Sequence, residues 1–390
     1  MKSIGVIAEY NPFHNGHAYQ LAHIRQQLSA DVIVVVMSGN FLQRGEPAAY
    51  DKWTRATWAL QSGADLVIEL PVAYSVQSAD YFAQGGIQIL EALGIAGINF
   101  GVESGAAAEF IMAADWFVNH EQEIEAILQE EYCGESYPQR LADAVRTLHP
   151  TFPLDMTQPN NTLGFSYCKQ LIKQASTMTV TTLERKDAGY HQSTLDPQKA
   201  IASATAIRQG LITNSNLVDR FLPPTVVQSI KQHQLATWAC WWPMLQYQII
   251  VSTEEQLATI YEMPAGLPRK LKYVAAESSS FIEFVEALLE KHTTRVKIQR
   301  LCLYILLELT DDMIKEVFCD PIPLHILGFT SAGKNFLNEQ KHHVSNPLLA
   351  NINQQTASYW AQDIKAGNIY RLGMGLNVPK QDFTRHPVIL

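Results

Sequence analysis

Across residues 1–100, short apolar runs alternate with helical patterns, and this alternation restricts the fold more than any other feature of the chain. "SIGVIAEY", "DVIVVVMSG", "DLVIELP" and "GINFG" read as strands. Between them, "GHAYQLAHIRQQL", "KWTRATWALQSG" and "SADYFAQGGIQILEALG" read as helices. The second places Trp53, Ala56 and Leu60 on one face, and Ser78 or Asp80 opens the third. Buried strands joined by helices form βαβ units, with parallel pairing and right-handed crossovers. Ligands of such sheets bind outside the carboxyl ends of the strands. Residues 9–17, 38–44, 69–71 and 101–104 are therefore expected to border one site.

Beyond this region the pattern changes. Residues 105–175 read as mostly helical, with breaks at "YCGESYPQR" and "HPTFPLDMTQPNNTLG". Asn160 or Asn161 is an expected cap for "TLGFSYCKQLIKQ". "TMTVTTLER" reads as a further strand, "KDAGYHQ" as a loop, and "SATAIRQGL" as a helix capped by Ser203. Past about residue 215, amphipathic helices such as "SFIEFVEALLEKH" and "RVKIQRLCLYILLEL" dominate. The expected organisation is α/β, with a Rossmann-like parallel-sheet domain over 1–215 and a mainly α-helical domain over 216–390. At 390 residues and 47% hydrophobic, the chain can bury two cores.

Composition narrows the function. No run of about 18 apolar residues appears, so no membrane span is expected. The N-terminus has no basic region followed by an apolar one, so it does not read as a signal peptide. Cys133, Cys168, Cys240, Cys302 and Cys319 are scattered with no C-x-x-C. That argues for reduced thiols in a cytoplasm and against a disulfide framework or a cysteine zinc site. The formal net charge is −9, so a nucleic acid would need a local basic patch to dock.

His14 and His17 flank Asn15 and Gly16 where the first strand turns into a helix. Backbone N–H groups and the helix dipole favour an anion there, and two imidazoles could contact phosphate oxygens. Asn11 and Pro12 are expected to shape an exposed loop before the turn. Downstream, "SATAIR" sets Ser203, Thr205 and Arg208 at a helix start, a second phosphate cradle. Ser38, Asn40, Gln43 and Arg44 form a polar cluster after the second strand, where Arg44 suits a carboxylate or leaving phosphates. Lys52 and Arg55 are expected at the surface. Glu9 could orient a donor, bind a metal, or serve in a cap or salt bridge. No His/Asp/Glu set has protein-metal spacing.

The H-x-G-H turn with a later S-x-T-x-I-R resembles the nucleotidyltransferase superfamily related to class I aminoacyl-tRNA synthetases. "VIAEYNPFHNGHAYQL", "VMSGNFLQRGEPA", "GADLVIELP", "NFGVES", "PNNTLGFSY", "ERKDAGYH" and "SATAIR" are similar, in order, to motifs of the bacterial tRNA(Met) cytidine acetate ligase family. The likeness is strong over residues 1–210 and continues through "TTRVKIQRLCLYILL" and "HILGFTSAGK".

This resemblance implies a HIGH-type nucleotidyltransferase domain and a specific reaction. ATP and acetate form acetyl-adenylate and pyrophosphate. N4 of the wobble cytidine of elongator tRNA(Met) then attacks the acetyl carbon, giving N4-acetylcytidine and AMP. The alternative is a small-molecule adenylyltransferase or acyl-ligase of the same superfamily. ATP is the implied substrate, with Mg2+ on its phosphates. ATP binding is carried onto Ile7, Ala8, Glu9, Tyr10, Asn11, Pro12, Phe13, His14, Asn15, Gly16, His17, Ala18, Tyr19 and Gln20, and onto Gly101, Asn161 and Arg185. The doubled "NN" leaves Asn160 as a competitor of Asn161. Arg185 and Arg208, with Ser203 and Thr205, suit the phosphates. His14, His17 and Arg44 are the expected catalytic set. For tRNA, "KHTTRVKIQR" offers Lys291, Arg295, Lys297 and Arg300, and "PRKLKY" adds Arg269, Lys270 and Lys272.

Overall fold

Strand β2 (Val32–Ser38) is "VIVVVMS", and all seven of its residues are buried. A strand with helices on both faces needs no polar side, so its sequence runs apolar without alternation. The same logic builds β1 (Ser3–Ala8) and β3 (Leu66–Leu70). With β4 (Gly97–Val102) and β5 (Thr179–Glu184), they form a parallel sheet in the order β5-β4-β1-β2-β3. The computed structural model describes residues 1–130, 137–185, 194–290 and 293–390. The loop expected at "KDAGYHQ", Cys133 and Lys291 lie outside the described residues.

From β1 the chain winds to β2 and β3 on one side, then crosses to β4 and β5 on the other. The crevice beyond the carboxyl ends of β1 and β4 is thus the point where strand order reverses, the usual ligand position in such sheets. Helix α1 (Asn15–Gln27) follows β1 directly, so its N-terminus opens onto that crevice.

Past residue 215 the described chain is mainly helical, as expected, but it does not stay apart from the sheet. The apolar run "LHILGF" forms β6 (Leu324–Phe329), which pairs antiparallel with β3 and covers an edge that would otherwise be open. Two short strands, β7 (Leu348–Leu349) and β8 (Val388–Ile389), pair with β6. Leu324 and Ile326 share an apolar core with Ile68 and Leu70. The helical part packs its own core around Trp241, Leu245, Leu271, Phe284 and Tyr304, and this core also takes in Phe41, Val72 and Val76 from the sheet side.

Lys52 and Arg55 are not at the surface. Both sit on helix α2 (Lys52–Gln61) and are 1% and 0% exposed. Lys52 Nζ donates to Glu69 Oε2 at 2.7 Å and to Asp382 Oδ1 at 2.6 Å. His325 Nδ1 of β6 lies 2.6 Å from the same Glu69 oxygen. Burial pushes the Glu69 carboxyl up, but Lys52 and His325 outweigh it and hold the carboxyl below its usual range. Of residues 69–71, expected to border the ligand site, Glu69 instead belongs to this buried ion cluster and Leu70 to the apolar core. The cluster's partners come from the far end of the chain, so local charge patterning could not place it.

Removing Lys52 would leave Glu69 and Asp382 buried without their cation. Lys52→Met should therefore lower unfolding free energy by about 3–5 kcal/mol, the usual penalty for breaking a buried pair from one side. Urea unfolding measures this, and a change below about 1 kcal/mol would mean that Glu69 and Asp382 are not left as uncompensated buried charges.

Candidate active site

A cavity of about 600 Å³ opens at the strand-order reversal, within the usual range for ligand pockets. His14 and His17 build its floor through an exchange of backbone bonds. His14 is the N-cap of α1, and its Nδ1 accepts from Gly16 N–H at 3.0 Å. His17 Nδ1 accepts from His14 N–H at 3.2 Å. The rings stack with centroids 3.7 Å apart. A neutral imidazole has one acceptor and one donor nitrogen, so each ring carries its proton on Nε2.

The surroundings keep both rings neutral. Burial, then Arg185 and Arg208, bring His14 down to about 3. Burial, then His14 and Arg185, hold His17 well below its ordinary value. The cations of the site are the guanidiniums. Arg208 Nη1 donates to Asn11 O at 2.9 Å, and Nη2 lies 3.4 Å from Glu46 Oε2. Arg185 Nη1 donates to Asn160 Oδ1 at 3.2 Å. Ser203 caps its helix (Ala204–Ile212), with Oγ accepting from Ala206 N–H at 3.1 Å, which aims Thr205 and Arg208 at the cavity.

The structure separates the paired asparagines. Asn160 lines the cavity, whereas Asn161 is 0% exposed and does not. Asn161 Oδ1 accepts from Glu103 N–H at 3.1 Å and so pins the turn after β4. Neither residue is the helix cap, because the helix Pro159–Lys173 starts one residue earlier, with Gln158 at the cap position. The Glu103 carboxylate takes the free N–H groups of that helix end instead, at 3.2 Å from Asn160 N and 2.9 Å from Asn161 N.

Of the other expected ATP residues, Ile7, Ala8, Glu9, Tyr10, Asn11, Gln20 and Gly101 line the cavity, and so does Arg44. Gly16 and Tyr19 border a small adjoining cavity of about 60 Å³ with both histidines. Phe13 lies in the core beneath the turn, and Ala18 packs against that core. Asn15 Nδ2 donates to Arg220 O at 2.9 Å, which faces it away from the cavity. Pro12 lines neither space. The loop it shares with Asn11 is not exposed, since Asn11 is 4% exposed and its Oδ1 accepts from Ala49 N–H at 2.7 Å.

Sequence reasoning passed over three cavity groups or their supports. Glu46 pairs with Arg208. Asn99, a lone amide in an apolar strand, accepts from Gln20 Nε2 at 3.0 Å, and its polarity in that setting was a readable signal. Tyr167 forms an apolar wall with Phe82, Phe100 and Leu163. One wall thus offers guanidiniums and N–H donors and the other offers apolar surface, an arrangement suited to a nucleotide. Among the described residues, no group of three or more His, Cys, Asp or Glu is placed to hold a metal.

The HIGH Nucleotidyl Transferase family model matches residues 1–385. The tRNA(Met) cytidine acetate ligase of Ligilactobacillus salivarius is 38% identical over 396 residues, covering 100% of both chains. The ligase of Lysinibacillus sphaericus is 36% identical, covering 99% of this chain and 98% of its own. The chain belongs to the tRNA(Met) cytidine acetate ligase family. Solved structures of the Thermotoga maritima protein TmcAL agree. The apo form superposes with a TM-score of 0.92 and the form bound with alpha-thio ATP with 0.90, each at 28% identity and covering 100% of both chains.

The neutral histidines predict a pH dependence. Unfolded, each titrates near 6.5, and folded, each binds a proton only at lower pH. Their contribution to stability is therefore complete above pH 6.5 and drains as the pH falls through the window below it. By pH 5 the loss is about 2 kcal/mol for His14. In urea unfolding at pH 7 and pH 5, His14→Asn should lose less stability on acidification than the wild type. Equal losses would mean that His14 is not held neutral.

Proposed function

We propose that this protein activates acetate with ATP and transfers the acetyl group to N4 of the wobble cytidine of elongator tRNA(Met). The observation that carries this reading is the His14–His17 pair at the start of α1, set in one cavity with Arg185 and Arg208, in a chain similar to these ligases over its whole length.

In the first step an acetate oxygen attacks the α-phosphorus and pyrophosphate leaves. No covalent enzyme intermediate is needed, only alignment and stabilisation of charge on the phosphate oxygens. The Nε2–H groups of His14 and His17 supply neutral donors, which do not require an imidazolium to be buried. Arg185 and Arg208 take the leaving phosphates through bidentate forks. Arg44 takes the acetate carboxylate. Adenine lies over Gly101, where an added Cβ would meet nothing nearer than Arg185 Cγ at 3.6 Å. Magnesium travels with ATP, bound by phosphate oxygens and water.

The tRNA approaches over the helix Arg295–Leu306. Gly45, in the loop that carries Arg44, seats against that helix with φ +73°, and a Cβ there would lie 2.2 Å from Arg300 N. Arg300, at the end of the basic stretch, therefore packs beside the loop that carries Arg44 into the cavity. Neighbouring acids temper it, because Arg295 pairs with Glu286, and Lys270 with Glu290. Lys297 and Arg300 carry the phosphate contact first. No helix among the described residues is long and apolar enough to cross a membrane, and a tRNA substrate puts the work in the cytoplasm.

Omitting ATP, acetate or tRNA in turn tests the reading. Full AMP release should need all three, and indifference to tRNA would favour a small-molecule ligase. His14→Ala and His17→Ala should each lower the rate by about 10²-fold or more, the scale for one positioned donor, with a smaller loss of ATP affinity. Near-normal turnover in both variants would remove the histidines from the chemistry.

A further inference from the structure

We propose that Glu9 is the base that takes the proton from cytidine N4 as the acetyl group transfers. The proposal rests on the acetyl-transfer reading above.

A carboxylate is an unexpected wall for a nucleotide cavity, because its charge opposes the phosphates. Glu9 nevertheless lines the cavity at the end of β1. Its Oε1 accepts from Gln43 N–H at 2.8 Å, which fixes the carboxyl plane. Among the described residues, Oε2 accepts no hydrogen bond, and it is not sealed from the cavity.

The second step creates a need that other groups of the cavity do not meet. The exocyclic amine of cytosine is conjugated with its ring and is not basic. Attack on the acetyl carbonyl makes N4 acidic, and its proton must leave before an amide can form. The N4–C bond forms, the bond from the acetyl carbon to the AMP phosphate oxygen breaks, and AMP leaves with that electron pair. The N4 proton passes to the Glu9 carboxylate and then to solvent.

Neither imidazole can take it. The Nδ1 lone pair of each is engaged by a backbone N–H, and each Nε2 already carries a proton. Glu46, the other carboxylate lining the cavity among the described residues, is paired with Arg208. Glu103 is occupied by Asn160 and Asn161.

The charged and titratable groups around Glu9 favour a base of moderate strength. Arg44 and Glu46 face it from the loop after β2, Arg208 from its helix, Tyr167 from the helix Pro159–Lys173, and Arg55 from behind. Burial and then Glu46 raise its carboxyl, against the Gln43 bond, Arg208 and Arg44. A carboxylate moved up toward the working pH is a better proton acceptor in the transition state.

Glu9→Gln keeps the acceptor for Gln43 N–H and removes the base. Two half-reactions separate the roles: acetate-dependent pyrophosphate exchange, and single-turnover transfer from preformed acetyl-adenylate to tRNA(Met). In E9Q, transfer should fall about 10²-fold or more, far more than exchange; wild-type transfer should rise with pH as the Glu9 carboxyl loses its proton, and E9Q should lack that rise. ATP binding should be no weaker, since a negative charge is gone. Glu9→Asp, which keeps a carboxylate on a shorter stem, should retain more transfer than E9Q. Transfer by E9Q within about threefold of the wild type would overturn the role of Glu9 and leave the transfer reading standing. Parallel loss of exchange and transfer would place Glu9 in adenylate formation and also overturn it. A wild type that exchanges pyrophosphate but moves no acetyl group to tRNA would overturn the transfer reading, and the proposal with it.

Discussion

Arg55 holds the site together from behind. Its guanidinium is 0% exposed and donates to backbone carbonyls at the carboxyl ends of two neighbouring strands. Nη1 reaches Glu9 O at 2.6 Å and Ser38 O at 3.0 Å, Nη2 reaches Gly39 O, and Nε reaches Tyr50 O at 2.9 Å. Parallel strands end with carbonyls that no further ladder satisfies, and a buried unsatisfied carbonyl is costly. One buried cation meets that need for β1, β2 and the entry to α2 together. The loop from β1 to His14 is thereby anchored at Glu9, and the loop bearing Arg44 at Gly39.

This anchoring sets the electrostatics of the cavity. The guanidiniums stay charged however deeply they lie, because Arg does not deprotonate in proteins. Buried beside them at the floor of the crevice, the histidines stay neutral and donate from Nε2. Positive charge and hydrogen-bond donation are therefore assigned to different residues. A neutral donor does not lose its proton when the reacting charge disperses. The Lys52–Glu69–Asp382 cluster extends the same scheme to the rest of the chain, since it ties the C-terminal segment to α2 and β3.

Where the sequence was legible, the determining forces were local. Strands β1 to β4 announce themselves by apolar runs, α1 by its cap, and the helix Ala204–Ile212 by Ser203. The H-x-G-H turn was readable because the spacing of His14 and His17 is itself the geometry of a capping box. The burial of Lys52 and Arg55 was not legible, because a helix with cations in its first turns reads as solvated unless the partners are known. Those partners lie far off, with Asp382 330 residues from Lys52 and His325 256 residues from Glu69. The choice between Asn160 and Asn161 depended on Glu103 bridging two elements, which adjacency in sequence cannot show. The basic stretch near residue 295 looked uniformly cationic because the acids that pair with its neighbourhood, Glu286 and Glu290, sit outside it.

The site's positive charge resides on its guanidiniums, Arg44, Arg185 and Arg208, while His14 and His17 are neutral Nε2–H donors. Nitrogen-15 NMR of the histidine side chains in the ligand-free protein at pH 7 tests this most directly, because the two ring nitrogens report tautomer and charge separately. For both residues the account predicts a protonated Nε2 and an unprotonated Nδ1, unchanged as the pH falls to 5. An imidazolium signal, or a proton on Nδ1 of either ring at pH 7, would contradict it.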